Sequence, residues 1–261
     1  MAGIQDELAQ KEIERLKHEA EVSRENELRR IADRNETNQR EYEAEERHDF
    51  KRSHRTDEDD YLEYVASYDD LIRTIGTDDR LAREHLGSSG HAEKRHASFD
   101  GLEYIASHHD LIVALGADDR AGAAHYITNG RAEGRGSSFD GLAYLASYDD
   151  LSGALSHSHD AGSEHFIRNG HAEGRRVGFD GLQYIASHDD LIPAFATNPD
   201  ASARHWMEHG RFEGRSRDSF DADRYLTKYS DLRTAFGNDT DAATEHFILS
   251  GHREGRSDDL F

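Results

Sequence analysis

The chain copies itself. The string HYITNGRAEGR at residues 125–135 returns with small changes as HFIRNGHAEGR at 165, HWMEHGRFEGR at 205 and HFILSGHREGR at 246. With an earlier one in register, its histidines are His85, His125, His165, His205 and His246, at steps of 40, 40, 40 and 41 residues. Tyr64, Tyr104, Tyr144, Tyr184 and Tyr225 keep the same register, as do Leu71, Leu111, Leu151, Leu191 and Leu232. Self-similarity at this period marks a repeat architecture, and a unit this small buries too little alone, so each must lean on its neighbours. The spacing predicts five units, at 56–98, 99–138, 139–178, 179–219 and 220–261, behind a different segment at 1–55.

Copies within one chain separate what a unit requires from what is free to drift. Beside the histidines, the recurring residues are Gly90, Gly130, Gly170, Gly210 and Gly251, then Glu133, Glu173, Glu213 and Glu254, then Arg135, Arg175, Arg215 and Arg256. In the second unit Asp100 has the position of a helix N-cap, and Glu103 stands where it can return a bond to the cap's own amide. Phe99 and Tyr104 are placed as a hydrophobic staple. Asp60, Asp140, Asp180 and Asp221 repeat the cap; Phe139, Phe179 and Phe220 repeat the aromatic, which the first unit replaces with Asp59, as a terminal unit with nothing before it would.

A second short helix is expected around 110–115, stopping at Gly116, and a third from about Asp119 to Asn129. The recurrent glycine at 130 reads as a left-handed residue closing that helix. The alternation that strands need is absent, so the class is all-α, three short helices to a unit in an elongated array. The histidine lies on the last helix next to Tyr126, Phe166, Trp206 or Phe247 and reads as pointing inward. Its expected partners are Glu133 and Arg135 or a backbone carbonyl, with the Glu and Arg clamping the third helix to the next unit.

Residues 1–55 have no proline, one glycine at Gly3, and an abundance of Glu, Arg, Ala and Leu, which predicts one long helix. Steps of three and four trace a coiled-coil seam through Ile13, Leu16 and Ala20, then Leu28, Ile31, Asn35, Asn38 and Tyr42. The step of eight from Ala20 to Leu28 marks a stutter, and the two asparagines would fix register at a cost in stability. The alternatives are a single charge-stabilised helix or a tail that orders on a partner.

The formal net charge is −22, and residues 1–55 hold 12 Lys and Arg against 15 Asp and Glu, so −19 falls on the repeats. Such a surface repels phosphate backbones and anionic lipid, which argues against nucleic acid and against a membrane face as partners. Basic proteins, neutral glycans and cations remain open. There is no cysteine, hence no disulfide framework and no thiolate chemistry. No stretch is apolar for long enough to span a membrane, and Met1 to Leu8 lack the features of a secretory signal.

Catalysis needs one constellation in one pocket; the same His, Glu and Arg in near-copy on successive units is the pattern of fold determinants, and no nucleophile elbow, P-loop or HExxH is present. No enzyme, cofactor or metal is expected. Oxygen donors do precede the third helix at Thr77-Asp78-Asp79, Ala117-Asp118-Asp119, Asn198-Pro199-Asp200 and Asn238-Asp239-Thr240-Asp241, but without EF-hand spacing, and helix capping accounts for one acceptor in each. His157-Ser158-His159-Asp160 reads as one unit's loop variation.

Phe99 to Arg135, Phe139 to Arg175 and Phe179 to Arg215 fit the form FDxLxYIASxxDLIxAxGxDxxAxxxHYxxxGxxEGR. That form resembles a tandem repeat of large surface-exposed or secreted bacterial proteins, chiefly alphaproteobacterial, and of some phage structural proteins. The departures are Lys94 for the EGR glycine and Ser156 for the glycine after the second helix. The resemblance implies a spacer or presentation module. With the N-terminal helix as anchor, the reading is a non-enzymatic structural protein, a virion appendage, fibre, collar or capsid decoration, that associates with itself or with other particle proteins through 1–55 and offers its repeats to a glycan or protein receptor. The alternatives are a bacterial surface or matrix adhesion module and a cytoplasmic adaptor holding a basic protein.

Overall fold

The structure is a computed structural model describing residues 61–259; the N-terminal helix expected over 1–55, its seam from Ile13 to Tyr42 and the Asp60 cap lie outside these residues. The described residues are helical, with no strand among them. Three helices recur in each sequence unit: α1 Leu62–Ala66, α2 Asp69–Thr74 and α3 Asp79–His85; α4 Gly101–Ala106, α5 His109–Leu115 and α6 Asp119–His125; α7 Gly141–Ala146, α8 Asp149–Ala154 and α9 His159–His165. Then come α10 Gly181–Ala186, α11 Ile192–Phe195 and α12 Pro199–His205, and finally α13 Ala222–Lys228, α14 Ser230–Phe236 and α15 Thr240–His246. In the fourth unit α11 is cut short, with Pro193 in its first turn.

The starts follow from side-chain capping. Asp100, Asp140, Asp180 and Asp221 sit in extended backbone, and each Oδ1 accepts from the amide three residues on. The third helices are capped in the same way by Asp78, Asp118, Ser158, Asn198 and Asp239. Helices of four to seven residues are unstable in isolation, so packing must hold them.

That packing is single file. In the first four units the first helix lies between the third helix of its own unit and the third helix of the next, giving the order α3, α1, α6, α4, α9, α7, α12, α10, α15, α13, with the second helices flanking the first. Buried residues of neighbouring units therefore share clusters: Leu62, Val65 and Ala66 pack with Ala123 and Ile127, and Tyr104 and Ile105 with Ile167. Where α4 crosses α6, a side chain at Gly101 would overlap the Asp119 carbonyl and one at Gly122 the Gly101 carbonyl, so backbone meets backbone.

The third helix continues past its histidine through one π-helical turn whose last residue is the recurrent glycine, Leu86–Gly90, Tyr126–Gly130, Phe166–Gly170, Trp206–Gly210 and Phe247–Gly251, and that glycine is not left-handed. The left-handed residue falls four positions later, at Gly134, Gly174, Gly214 and Gly255, and at Lys94 with φ 56° in the first unit. The expectation that Gly90, Gly130, Gly170, Gly210 and Gly251 are left-handed terminators is thus corrected. Their requirement is space: all five are buried, and a Cβ on any of them would run into the hydroxyl of Tyr64, Tyr104, Tyr144, Tyr184 or Tyr225. Lys94 keeps the geometry of the glycine it replaces, whereas Ser156 does not, and α8 leaves through Leu155 in extended backbone.

Candidate functional site

The recurrent histidine finds a partner that the sequence reading did not assign. The hydroxyls of Tyr64, Tyr104, Tyr144, Tyr184 and Tyr225 bond Nδ1 of His85, His125, His165, His205 and His246 at 2.9, 3.0, 2.9, 3.0 and 3.1 Å, each pair 21 residues apart. Burial pushes Tyr104, Tyr144, Tyr184 and Tyr225 up to about 12, so these hydroxyls keep their protons at neutral pH. Burial, then Arg215, pulls His205 below the ordinary histidine range and leaves its ring neutral. Such a pair satisfies the buried hydroxyl and the half-buried ring together, and the first and third helices are joined through their side chains as well as their backbones.

Glu133 and Arg135 do not reach the histidine, and they do not reach the next unit. Arg135 grips both carboxylate oxygens of Asp110 in α5, at 3.0 and 2.8 Å, and pairs with Glu133 at 2.7 Å, so the clamp closes within one unit. Arg95 with Asp70, Arg175 with Asp150, Arg215 with Asp190 and Arg256 with Asp231 repeat it, always 25 residues apart. The hydrogen bond from Arg135 holds the Asp110 carboxyl below its usual range. Beside this clamp, Tyr68 and Tyr148 donate to the carbonyls of His96 and Arg176, and His108 and His188 donate through Nε2 to those of Gly136 and Ser216. The tyrosine hydroxyls also accept backbone amides, Tyr68 from His96, Tyr148 from Arg176 and Tyr229 from Ser257, so tyrosine and histidine hold the same segment with different bonds.

The join between units is made by residues that recur in the repeat but to which the sequence pattern assigns no role across it. Ser107 Oγ accepts from the amides of Ser138 and Phe139 at 2.8 and 2.9 Å and itself donates to the Glu103 carbonyl. Ser67 and Ser147 clasp the following segment in the same way. Glu103 does not return to the Asp100 amide as a capping box would: its Oε1 accepts from the Gly141 amide of the next unit at 3.0 Å, as Glu63 accepts from Gly101 at 2.8 Å. Tertiary context outbids the local bond because the following helix start would otherwise be buried without a partner. The aromatic residue before the cap does meet its tyrosine, with ring centroids of Phe99 and Tyr104 5.5 Å apart, and it also stacks on Tyr126 at 4.5 Å.

Two groups along this join bring metal-ligand atom types within 4.8 Å of one another: Glu103, Asp140 and His159, and Glu63, Asp100 and Asp119. His159 stands in register with Asp119. Its Nδ1 bonds Glu103 at 2.7 Å and approaches Asp140 at 3.8 Å, while Nε2 bonds Asp200 at 3.0 Å, so one ring links carboxylates of three units. Burial lowers this imidazole's pKa, yet the bonds from Asp200 and Glu103 win and hold it up at about 11, a cation in place. In the Asp119 group no histidine intervenes, and burial, then Glu103 and Asp160, pushes Asp100 up to about 8. His157 is held by the Ser152 carbonyl at 2.9 Å and by Glu208 at 3.3 Å, so it does not converge with His159.

The arrangement supplies ion pairs and hydrogen bonds that repeat from unit to unit. Comparisons with family models, with curated proteins and with solved structures find no match. Among the described residues no helix is long and apolar enough to cross a membrane.

Proposed function

We propose that this is a non-enzymatic structural protein in which five three-helix units, stacked in single file, form an elongated array that spaces or presents, joined to an N-terminal helix over 1–55 that anchors or multimerises the chain. The setting that suits it is a virion appendage, fibre, collar or capsid decoration, with the outward, variable positions of the repeats offered to a glycan or protein receptor. One observation carries the reading: the recurrent polar groups are taken up by one another at fixed separations, Tyr with His across 21 residues and Asp with Arg across 25. Residues consumed in holding a unit together are not free to turn over a substrate, and a site copied five times suits length or avidity.

The test is an in-frame deletion of residues 139–219, two whole units, measured by small-angle scattering beside the full chain. The largest dimension should fall by two unit lengths while the helical spectrum of the remaining units persists. A deletion that unfolds the remainder sinks the modular reading. Light scattering of a chain starting at Asp57 checks the anchor: equal masses for the short and full chains would remove self-association from residues 1–55.

A further inference from the structure

The face that one unit offers to the next changes character at both ends of the run. On the first helix, the outward positions are Leu142, Ala146 and Ser147 in the third unit, where the leucine and alanine are buried and the serine clasps the chain ahead. Units one, two and four carry the same three residue types in register. In the fifth unit those positions are Asp223, Thr227 and Lys228, all exposed, with Arg224 where Glu103 stands in the second. Lys228 cannot accept amide hydrogens as serine does; its Nζ donates instead to Ser257 Oγ at 2.9 Å and to the Asp259 carbonyl, tying the segment down with reversed polarity.

The opposite face is altered at the other end. Ala123 and Ile127 pack on the first unit's Leu62, Val65 and Ala66. Their counterparts are Arg83 on α3 and Gly87 in the π-helical turn that continues it, both exposed, and the aromatic of Tyr126 is replaced there by Leu86. The apolar residues that would bind a preceding third helix are thus absent from the first of the five units, together with the Phe-to-Asp59 change.

Resting on the array reading above, we infer that α13 and α3 present caps: these two faces refuse a further unit, so copies of this chain do not extend one another end to end, and the number of units that can stack is written into the sequence. Seating an apolar third helix on Asp223, Arg224 and Lys228 would strip water from charges that the helix cannot replace with partners of its own, and the ion pair of Arg224 with Asp221 is itself half in solvent, so the desolvation outweighs the benefit of burying that helix's apolar side. An end so treated is what keeps an open stack soluble.

The experiment places the same forty residues, 136–175, in two positions of the full chain: duplicated directly after Arg175, or joined after Arg256 in place of the five residues that follow it. The internal copy should add helical ellipticity and resist protease with the rest of the array. The terminal copy should add little helix and be removed by protease at the same dose. Restoring the face by Asp223→Leu, Arg224→Glu, Thr227→Ala and Lys228→Ser in the terminal chain should make the added copy fold and resist. A terminal copy as helical and resistant as the internal one overturns the inference, as does a restored face that leaves it unfolded while the internal copy folds. An internal copy that fails to fold refutes the array reading instead, so the two failures are told apart.

Discussion

Gly210 is the sharpest place to test why the recurrent glycine is needed. A methyl group there would overlap the Tyr184 hydroxyl, which is also bonded to His205 Nδ1 at 3.0 Å. Gly210→Ala should therefore cost about 1–3 kcal/mol of overpacking. Displacing the tyrosine would add roughly 1 kcal/mol for the lost bond. Tyr184→Phe alone should cost on the order of 1–2 kcal/mol, since it leaves the half-buried imidazole short of its partner. In the double variant the hydroxyl that clashes is gone. The methyl then meets Tyr184 Cζ at 3.1 Å and Trp206 Cε3 at 3.2 Å, which a shift of a few tenths of an ångström relieves. The two costs should thus fall short of adding by about 1 kcal/mol or more, well beyond the roughly 0.5 kcal/mol scatter of independent sites. Trp206 is the chain's single tryptophan and is buried beside the site, so its emission in a urea titration reports this unit directly. Costs that add would refute the close-approach account and return the glycine to a backbone role.

Three further outcomes follow from the same contacts. His159, held at about 11 against an ordinary 6.5, favours the folded state as a cation, so its contribution is complete below about pH 6.5 and drains as pH rises toward about 11; His159→Gln should flatten that part of the stability curve, and an unchanged curve would refute the three-unit link. Asp100, raised from 3.8 to about 8, likewise contributes only while protonated in the fold, and what it contributes is lost as pH rises through about 8. Asp100→Asn keeps the capping oxygen without the charge, so thermal melts should show its advantage over the parent growing between pH 4 and pH 9; a constant gap would count against a buried proton. Lys94 holds a left-handed φ of 56° that strains any side chain, so Lys94→Gly should stabilise the first unit by about 1 kcal/mol in hydrogen exchange, and a loss would mean the lysine side chain is itself anchored.

The helical class and the starts of the first helices were legible because capping is local: an aspartate, three residues and an amide suffice. The tyrosine and histidine were legible as recurrent but not as a pair, since the 21 residues between them close only when two helices cross, and nothing in the string fixes that crossing. A left-handed glycine and a crowded one read alike in a string. The copies did hold a distinguishing signal. The EGR glycine gives way to Lys94, which a left-handed position tolerates at modest cost, while the glycine at 90, 130, 170, 210 and 251 gives way to nothing, as overlap with a tyrosine hydroxyl demands. The serine clasps were passed over for a plainer reason: serine after a short helix is common enough to look incidental, and its acceptor role needs the following unit in place.

The interleaved order of first and third helices bears on how such a chain reaches its fold. Bonds that close a unit span 21, 25 or 28 residues, the serine and glutamate bonds that join it to the next span 31 to 38, and further side-chain links between units span 41 to 70. The loop that must be closed to add a unit is consequently the same for the fifth as for the second, and its entropy does not grow with the length of the chain. Folding can begin at any pair of neighbours and spread by steps of equal difficulty, so a longer run assembled on this plan would fold about as fast as a short one.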